Sequence, residues 1–207
     1  QGVSSAASDV YKRQALYGSL IAYLTETATV TAMHNLPSLN SQSNVLSVVR
    51  IDGICPSISI NNIRMASAYD PWKEAQHALN KLLDSTNVHL YGIGLGHLPS
   101  LLVKNSTKLR ELNVHLLNAD VFNIQLQHMP THEWLSDPRV RVRLANANDK
   151  PTNAGKLHIS LPDLQLIAPE LWRLRDRLNA VLNQNFINSA FRVDDPWLQE
   201  RLNSNED

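Results

Sequence analysis

Between Asp70 and Leu144 the apolar positions switch back and forth between a helical period and a strand period. Asp70-Pro71 opens the first predicted helix: aspartate suits the free amides of a helix start, and proline in the first turn loses no hydrogen bond. Ala75, Ala78, Leu79, Leu82 and Leu83 then supply one apolar face to about Asp84. Val88-His89-Leu90-Tyr91 reads as a short strand running into Gly92-Ile93-Gly94-Leu95-Gly96. A helix follows over roughly His97 to Lys104, with Pro99 in its first turn. Val114 to Leu117 is a second strand, Ala119 to Gln127 a second helix, and Arg139 to Leu144 a third strand. This order predicts an α/β fold: a Rossmann-like parallel sheet with right-handed crossovers and helices on both faces.

Before this unit, Val45 to Ile51 is apolar and β-branched, Asp52-Gly53 marks a turn, and Ser57-Ile58-Ser59-Ile60 alternates polar with apolar. The pattern predicts a small β-rich lobe at about 45–66, with Pro56 restricting its strand to an edge. Further forward, Ala15 to Thr27 has helical spacing and 35–44 reads as a loop. After the third strand a loop from Asn146 to Gly155 leads to Leu157-His158-Ile159. A periodic helix runs from Pro169 to Asn185, and the tail from Asn203 is polar.

Composition narrows the function classes. Of the 207 residues 43% are hydrophobic and 18% charged, and the formal charge is zero, so no basic field draws the chain to nucleic acid or anionic lipid. Cys55 is the one cysteine, so no internal disulfide forms and a cytoplasmic setting is expected. No run is long enough to span a bilayer. Ser4 to Gln14 resembles an in-frame translation of a transposon-end sequencing adapter, as seen in metagenomic sequences. Positions 1–14 are therefore set aside as non-biological. Without them 17 basic residues face 18 acidic ones, and the charge argument stands.

The chemistry-bearing candidate is the turn after the first parallel strand. Gly92, Gly94 and Gly96 let backbone approach a ligand closely, and the helix amides behind them favour an anion. The spacing is G-x-G-x-G; the third glycine of the dinucleotide pattern is replaced by His97. Asn118 stands where methyltransferase-type folds carry an acid for ribose, and Asp120 follows two residues on. Candidate ligand-binding residues are thus Gly92, Gly94, Gly96, His97, Asn118 and Asp120. Against this stands an equally weighted plain reading, in which the glycines only allow a tight turn and close packing. His97 at a helix N-terminus is disfavoured as a cation, and the plainer expectation makes it a partly exposed cap residue. His128, His132 and Glu133 mimic metal spacing, but Pro130 breaks the helix that would align them, so no metal is expected. Arg139, Arg141 and Arg143 alternate with apolar residues, which reads as a phosphate-contacting stripe or, more plainly, as a half-exposed edge strand whose charges block further pairing. Trp72, Trp134, Trp172 and Trp197 are scattered, as core or contact anchors.

Two stretches carry a family resemblance. Ser67 to Ala75 resembles the S-x-Y-D-P-x-x-E-A helix start of bacterial motility accessory factor glycosyltransferases, and Leu90 to Leu98 resembles their G-x-G-L-G-Y-H-L turn. These proteins are often named after a hydroxymethylpterin diphosphokinase-like domain. This chain lacks the tyrosine between Gly96 and His97 and has Asn118 in place of the usual acid. The resemblance implies an N-terminal, non-catalytic fragment of a bacterial enzyme that modifies flagellin with nonulosonic (sialic-acid-like) sugars. Flagellin and the rest of the polypeptide are its implied partners. The nucleotide-activated sugar belongs to a central domain with a Gly-Pro-Ser turn, which is absent through Asp207, so no catalytic residue and no cofactor is assigned to this stretch. The implied division is 1–14 adapter, 15–66 truncated helix and β lobe, 67–160 Rossmann-like domain, and 161–207 helical connection to the catalytic domain. The alternatives are a Rossmann domain binding a nucleotide or S-adenosylmethionine, methyltransferase-like, and a structural domain without ligand.

Overall fold

The computed structural model describes residues 46–151 and 156–190. The adapter-like segment, the helix expected from Ala15, the loop at 35–44, Trp197 and the polar tail lie outside the described residues.

The small lobe is an antiparallel sheet of β1 (Val48–Ile51), β2 (Ser57–Ile60) and β3 (Ile63–Arg64), in that order. Its third strand was not evident from the sequence. It forms because Asn61 and Asn62 both take positive φ, the left-handed pair that turns a tight hairpin. Pro56 was expected to hold β2 at an edge, yet β2 is the central strand. The ladder begins at Ser57, opposite Ile51, so the missing N–H of Pro56 falls outside it.

Helix α1 (Pro71–Asn80) starts as its sequence dictates: Asp70 Oδ1 accepts from the Lys73 amide at 2.9 Å. Such a cap stabilises by about 1 kcal/mol. The chain then alternates β4 (Asn87–Tyr91), α2 (His97–Asn105), β5 (Glu111–Leu116), α3 (Ala119–His128), a 3-10 turn at Glu133–Ser136, and β6 (Val140–Leu144). Leu157-His158-Ile159, a weak apolar patch in the sequence, belongs to a fourth strand, β7 (Lys156–Ile159), parallel to β4. Two helices follow, α4 (Leu161–Gln165) and α5 (Trp172–Ala190). The sheet order is β6-β5-β4-β7 with every pairing parallel, the Rossmann-like architecture.

Side chains from alternate strand positions feed two cores. Val88, Leu90, Leu112 and Val114 pack under α1, α2 and α3 with Leu79, Leu102 and Phe122. On the opposite face Tyr91 and Ile159 meet Leu164 of α4 and Leu174 and Leu178 of α5. Each fully buried leucine contributes about 1.5–3 kcal/mol. A third cluster joins Ile58, Ile60 and Met65 of the lobe to Leu95, Val121 and Leu166. The lobe therefore sits over the glycine turn and the start of α3.

β6 is the sheet edge, as the arginine stripe suggested. Arg141 pairs with Glu111 at 2.9 Å and Arg143 with Asp149 at 2.8 Å. Arg139 pairs with Asp137 and donates to the carbonyl of Val103 at 2.7 Å. The stripe is engaged internally.

Candidate functional site

In open parallel sheets the crevice forms where the chain leaves the sheet on opposite sides of neighbouring strands. Here that place is between the carboxyl ends of β4 and β7, with β5 on the far side of β4. The glycine turn lies there. Gly92, Gly94 and Gly96 all take positive φ, +80°, +57° and +79°. At Gly92 a Cβ would stand 2.3 Å from Cβ of Asp163, so hydrogen is the only substituent that fits. At Gly96 it would meet Met129 Sδ at 3.0 Å and Trp134 Nε1 at 3.2 Å, which is how the turn seats α2 against Trp134.

The turn already has a partner. Asp163 in α4 is 5% exposed, and its Oδ2 accepts from the Gly94 amide at 2.9 Å and from the Ser160 hydroxyl. Its Oδ1 accepts from Gln125 Nε2 of α3 at 2.8 Å. Burial pushes this carboxyl above the usual carboxylate range, while the hydrogen bonds from Ser160, Gln125 and the turn pull it back. One side chain from α4 thus ties the turn to α3.

The candidates of the sequence separate in the structure. Asn118 Oδ1 accepts from the amides of Asp120 and Val121, capping α3, and its Nδ2 donates to the Leu166 carbonyl at 2.9 Å. Its amide is committed at both ends. Asp120 is exposed on the first turn of α3.

His97 was expected to be partly exposed, but it is buried at 8%, edge-on to Trp72 with ring centroids 4.7 Å apart. Trp72 leans over the start of α2 and covers it. Burial lowers the His97 imidazole to about 4, so the ring is neutral, for want of water rather than through the helix end alone. His132 Nε2 lies 2.7 Å from the Leu126 carbonyl, and no metal-binding group of His, Cys, Asp or Glu occurs among the described residues.

Three groups escaped the sequence reading. Asp163 and Ser160 form an S-x-x-D pattern resembling a capping box, the one signal that marked them. Here the acid turns toward the glycine turn instead of back to its own helix. His158 shares the α1 face of the sheet with Leu90. His115, 4% exposed, stacks on Tyr91 at 4.4 Å and meets His89 at 3.2 Å, with its own Nδ1 buried and without a partner among the described residues.

Beside the turn, α1, the first turn of α2 and the end of β7 border a cavity of about 220 Å³. Pro71, Glu74 and Ala75 from the first motif of the family resemblance line it together with Gly92, Gly94 and His97 from the second.

No protein-family model matches the chain, and no curated protein does. Among solved structures, a spermidine synthase from Thermotoga maritima is similar over 52% of this chain and 40% of its own, at 16% identity and a TM-score of 0.43. A spermidine synthase in complex with the transition-state analogue AdoDATO is similar over 52% and 39%, again at 16% identity and 0.43. The chain spans about two fifths of either protein. At this level the likeness bears on no residue of the site.

Proposed function

We propose that this chain is a non-catalytic Rossmann-like module, the front part of a flagellin-modifying glycosyltransferase of the motility accessory factor kind. In this reading it is a cytoplasmic scaffold or acceptor-docking unit, and the nucleotide-activated nonulosonic sugar is handled by the remainder of the polypeptide. The observation that carries the non-catalytic part is the occupied turn: Asp163 holds the Gly94 amide that an external phosphate or carboxylate needs. Asn118 is committed to capping α3 and to Leu166, so its side chain is not free to hold a ribose. Support for the family lies in the two motifs being neighbours in space, with Trp72 of one against His97 of the other.

A second reading, a nucleotide- or S-adenosylmethionine-binding, methyltransferase-like domain, draws on the cavity beside the turn. Calorimetric titration of S-adenosylmethionine and of nucleotides into the wild type and Gly94→Ala decides between them. The scaffold reading expects heats of dilution throughout. Saturable binding to the wild type that Gly94→Ala abolishes replaces it with the second. The family part is tested by sequencing the gene beyond codon 207: a long continuation with a Gly-Pro-Ser turn is expected, and an immediate stop contradicts it.

A further inference from the structure

The cavity shares Gly92, Gly94 and Ser160 with the turn but not Asp163, which closes the cradle of the turn, and it extends to α1. Its walls are apolar where Ala78 and Leu90 line it and polar at Glu74, His97, His158 and Ser160. His97 is more than nine-tenths buried, edge-on to Trp72, and its ring borders the cavity. His158, at the end of β7, faces the same space.

Charge selects the ligand. Burial lowers both imidazoles, with Lys81 adding to the effect at His158, so neither ring is a cation. Lys81 does not line the cavity, and among the described residues Glu74 is the one acidic or basic side chain besides the histidines that does. Glu74 Oε2 accepts from the Ser67 amide at 3.2 Å, which leaves Oε1 available. The adjoining groove is lined by Asp70, Glu74 and Arg64, so carboxylates outnumber cations there too. Each neutral ring offers one donor and one acceptor nitrogen, so the Glu74 carboxylate decides the charge: it repels an anion and attracts a cation. His97, His158 and Glu74 do not form a metal-binding group, so a compact metal ion is the wrong cation.

We propose that this cavity is a binding site for a small organic ammonium ion: one protonated amine on a short apolar body, its nitrogen between Glu74 and the imidazoles and its body against Ala78 and Leu90. The proposal is independent of the parent protein's identity.

The test uses the full chain, with the imidazole signals of His97 and His158 followed by NMR during titration with n-butylammonium, n-butanol or butyrate. These probes share a body and differ in charge. Butylammonium is expected to move both signals saturably and to bind about tenfold more tightly than butanol, with butyrate weakest. Glu74→Gln, which preserves the bond to Ser67, should bring butylammonium down to the level of butanol. Ala78→Leu, which fills the cavity, should abolish both responses. Equal binding of the three probes, stronger binding of butyrate, an unchanged response in Glu74→Gln, or still histidine signals would each overturn the proposal.

Discussion

Gln125 of α3 donates its side-chain amide to Oδ1 of Asp163 in α4 at 2.8 Å, and neither residue is more than 5% exposed. With the Gly94 amide and the Ser160 hydroxyl on the other oxygen, the carboxylate is the knot between the glycine turn, α3 and α4. Removing it strands buried donors. Asp163→Ala should lower the unfolding free energy by about 1–3 kcal/mol, since a buried donor left without its acceptor costs about that much. Asp163→Asn, which keeps one acceptor oxygen, should cost less. Urea denaturation of both variants checks the order, and equal stability of Asp163→Ala and wild type would remove the knot.

The glycines of the turn differ in what they tolerate. Gly94 has φ +57° and its Cβ would stand 3.1 Å from the Met65 carbonyl, so Gly94→Ala should cost about 1–2 kcal/mol, mostly backbone strain. Gly92→Ala places a methyl 2.3 Å from Cβ of Asp163 and forces α4 to move. It should cost more than about 3 kcal/mol, or prevent folding. The ranking is read from unfolding midpoints, and a Gly92→Ala protein as stable as Gly94→Ala contradicts it.

His97 and His115 set the acid limit. Burial is the main cause at both, and at His115 Arg143 and His89 lower the ring further while Asp149 opposes them, leaving both near about 4. Their folded values lie below the unfolded 6.5, so the unfolded state takes up protons first as pH falls. Their contribution is complete above 6.5 and is lost between there and about 4, on the order of 3 kcal/mol each. Asp163, raised by burial, works oppositely: its contribution is complete below 3.8 and fades as pH rises through its folded value. His115→Phe isolates the histidine term, because a phenyl ring can still stack on Tyr91 and does not titrate. Between pH 6.5 and 4.5 its stability should fall less steeply than that of the wild type; parallel curves contradict the assignment.

Much of the fold was written in local pattern. The Asp70-Pro71 cap, the apolar faces of β4 and β5 and the arginine stripe of an edge strand are each set by neighbours a few residues apart. The parts that escaped depend on distant partners. Asp163 meets Gly94 across 69 residues, and nothing near it in sequence shows that its carboxyl faces a glycine turn rather than its own helix. His158 weakens the apolar pattern of β7 in the chain, yet it borders a cavity in space. Asn118 lies just past β5 as the cap of α3, and its side chain is spent on bonds that only the folded chain brings within reach. The glycine spacing was legible as a sharp turn. That the turn holds its own carboxylate was not.

The stripe offers a contrast in cost. Arg139 binds Asp137 and the Val103 carbonyl from a mostly covered position, whereas Arg141 is 72% exposed in its pair with Glu111. Arg139→Ala should lower stability by about 1–2 kcal/mol, and Arg141→Ala by less than about 0.5 kcal/mol. Thermal unfolding at moderate salt separates them; the reverse order would mean that the edge is held otherwise.

The measurement closest to the central claim is amide hydrogen exchange at Gly94, with and without S-adenosylmethionine or nucleotide. Because Asp163 holds that amide, Gly94 in the free protein should exchange as slowly as the core amides of β4, and added ligand should change nothing. Rapid exchange in the free protein that slows when either compound is added would show that the turn waits for an external ligand, and would contradict the account.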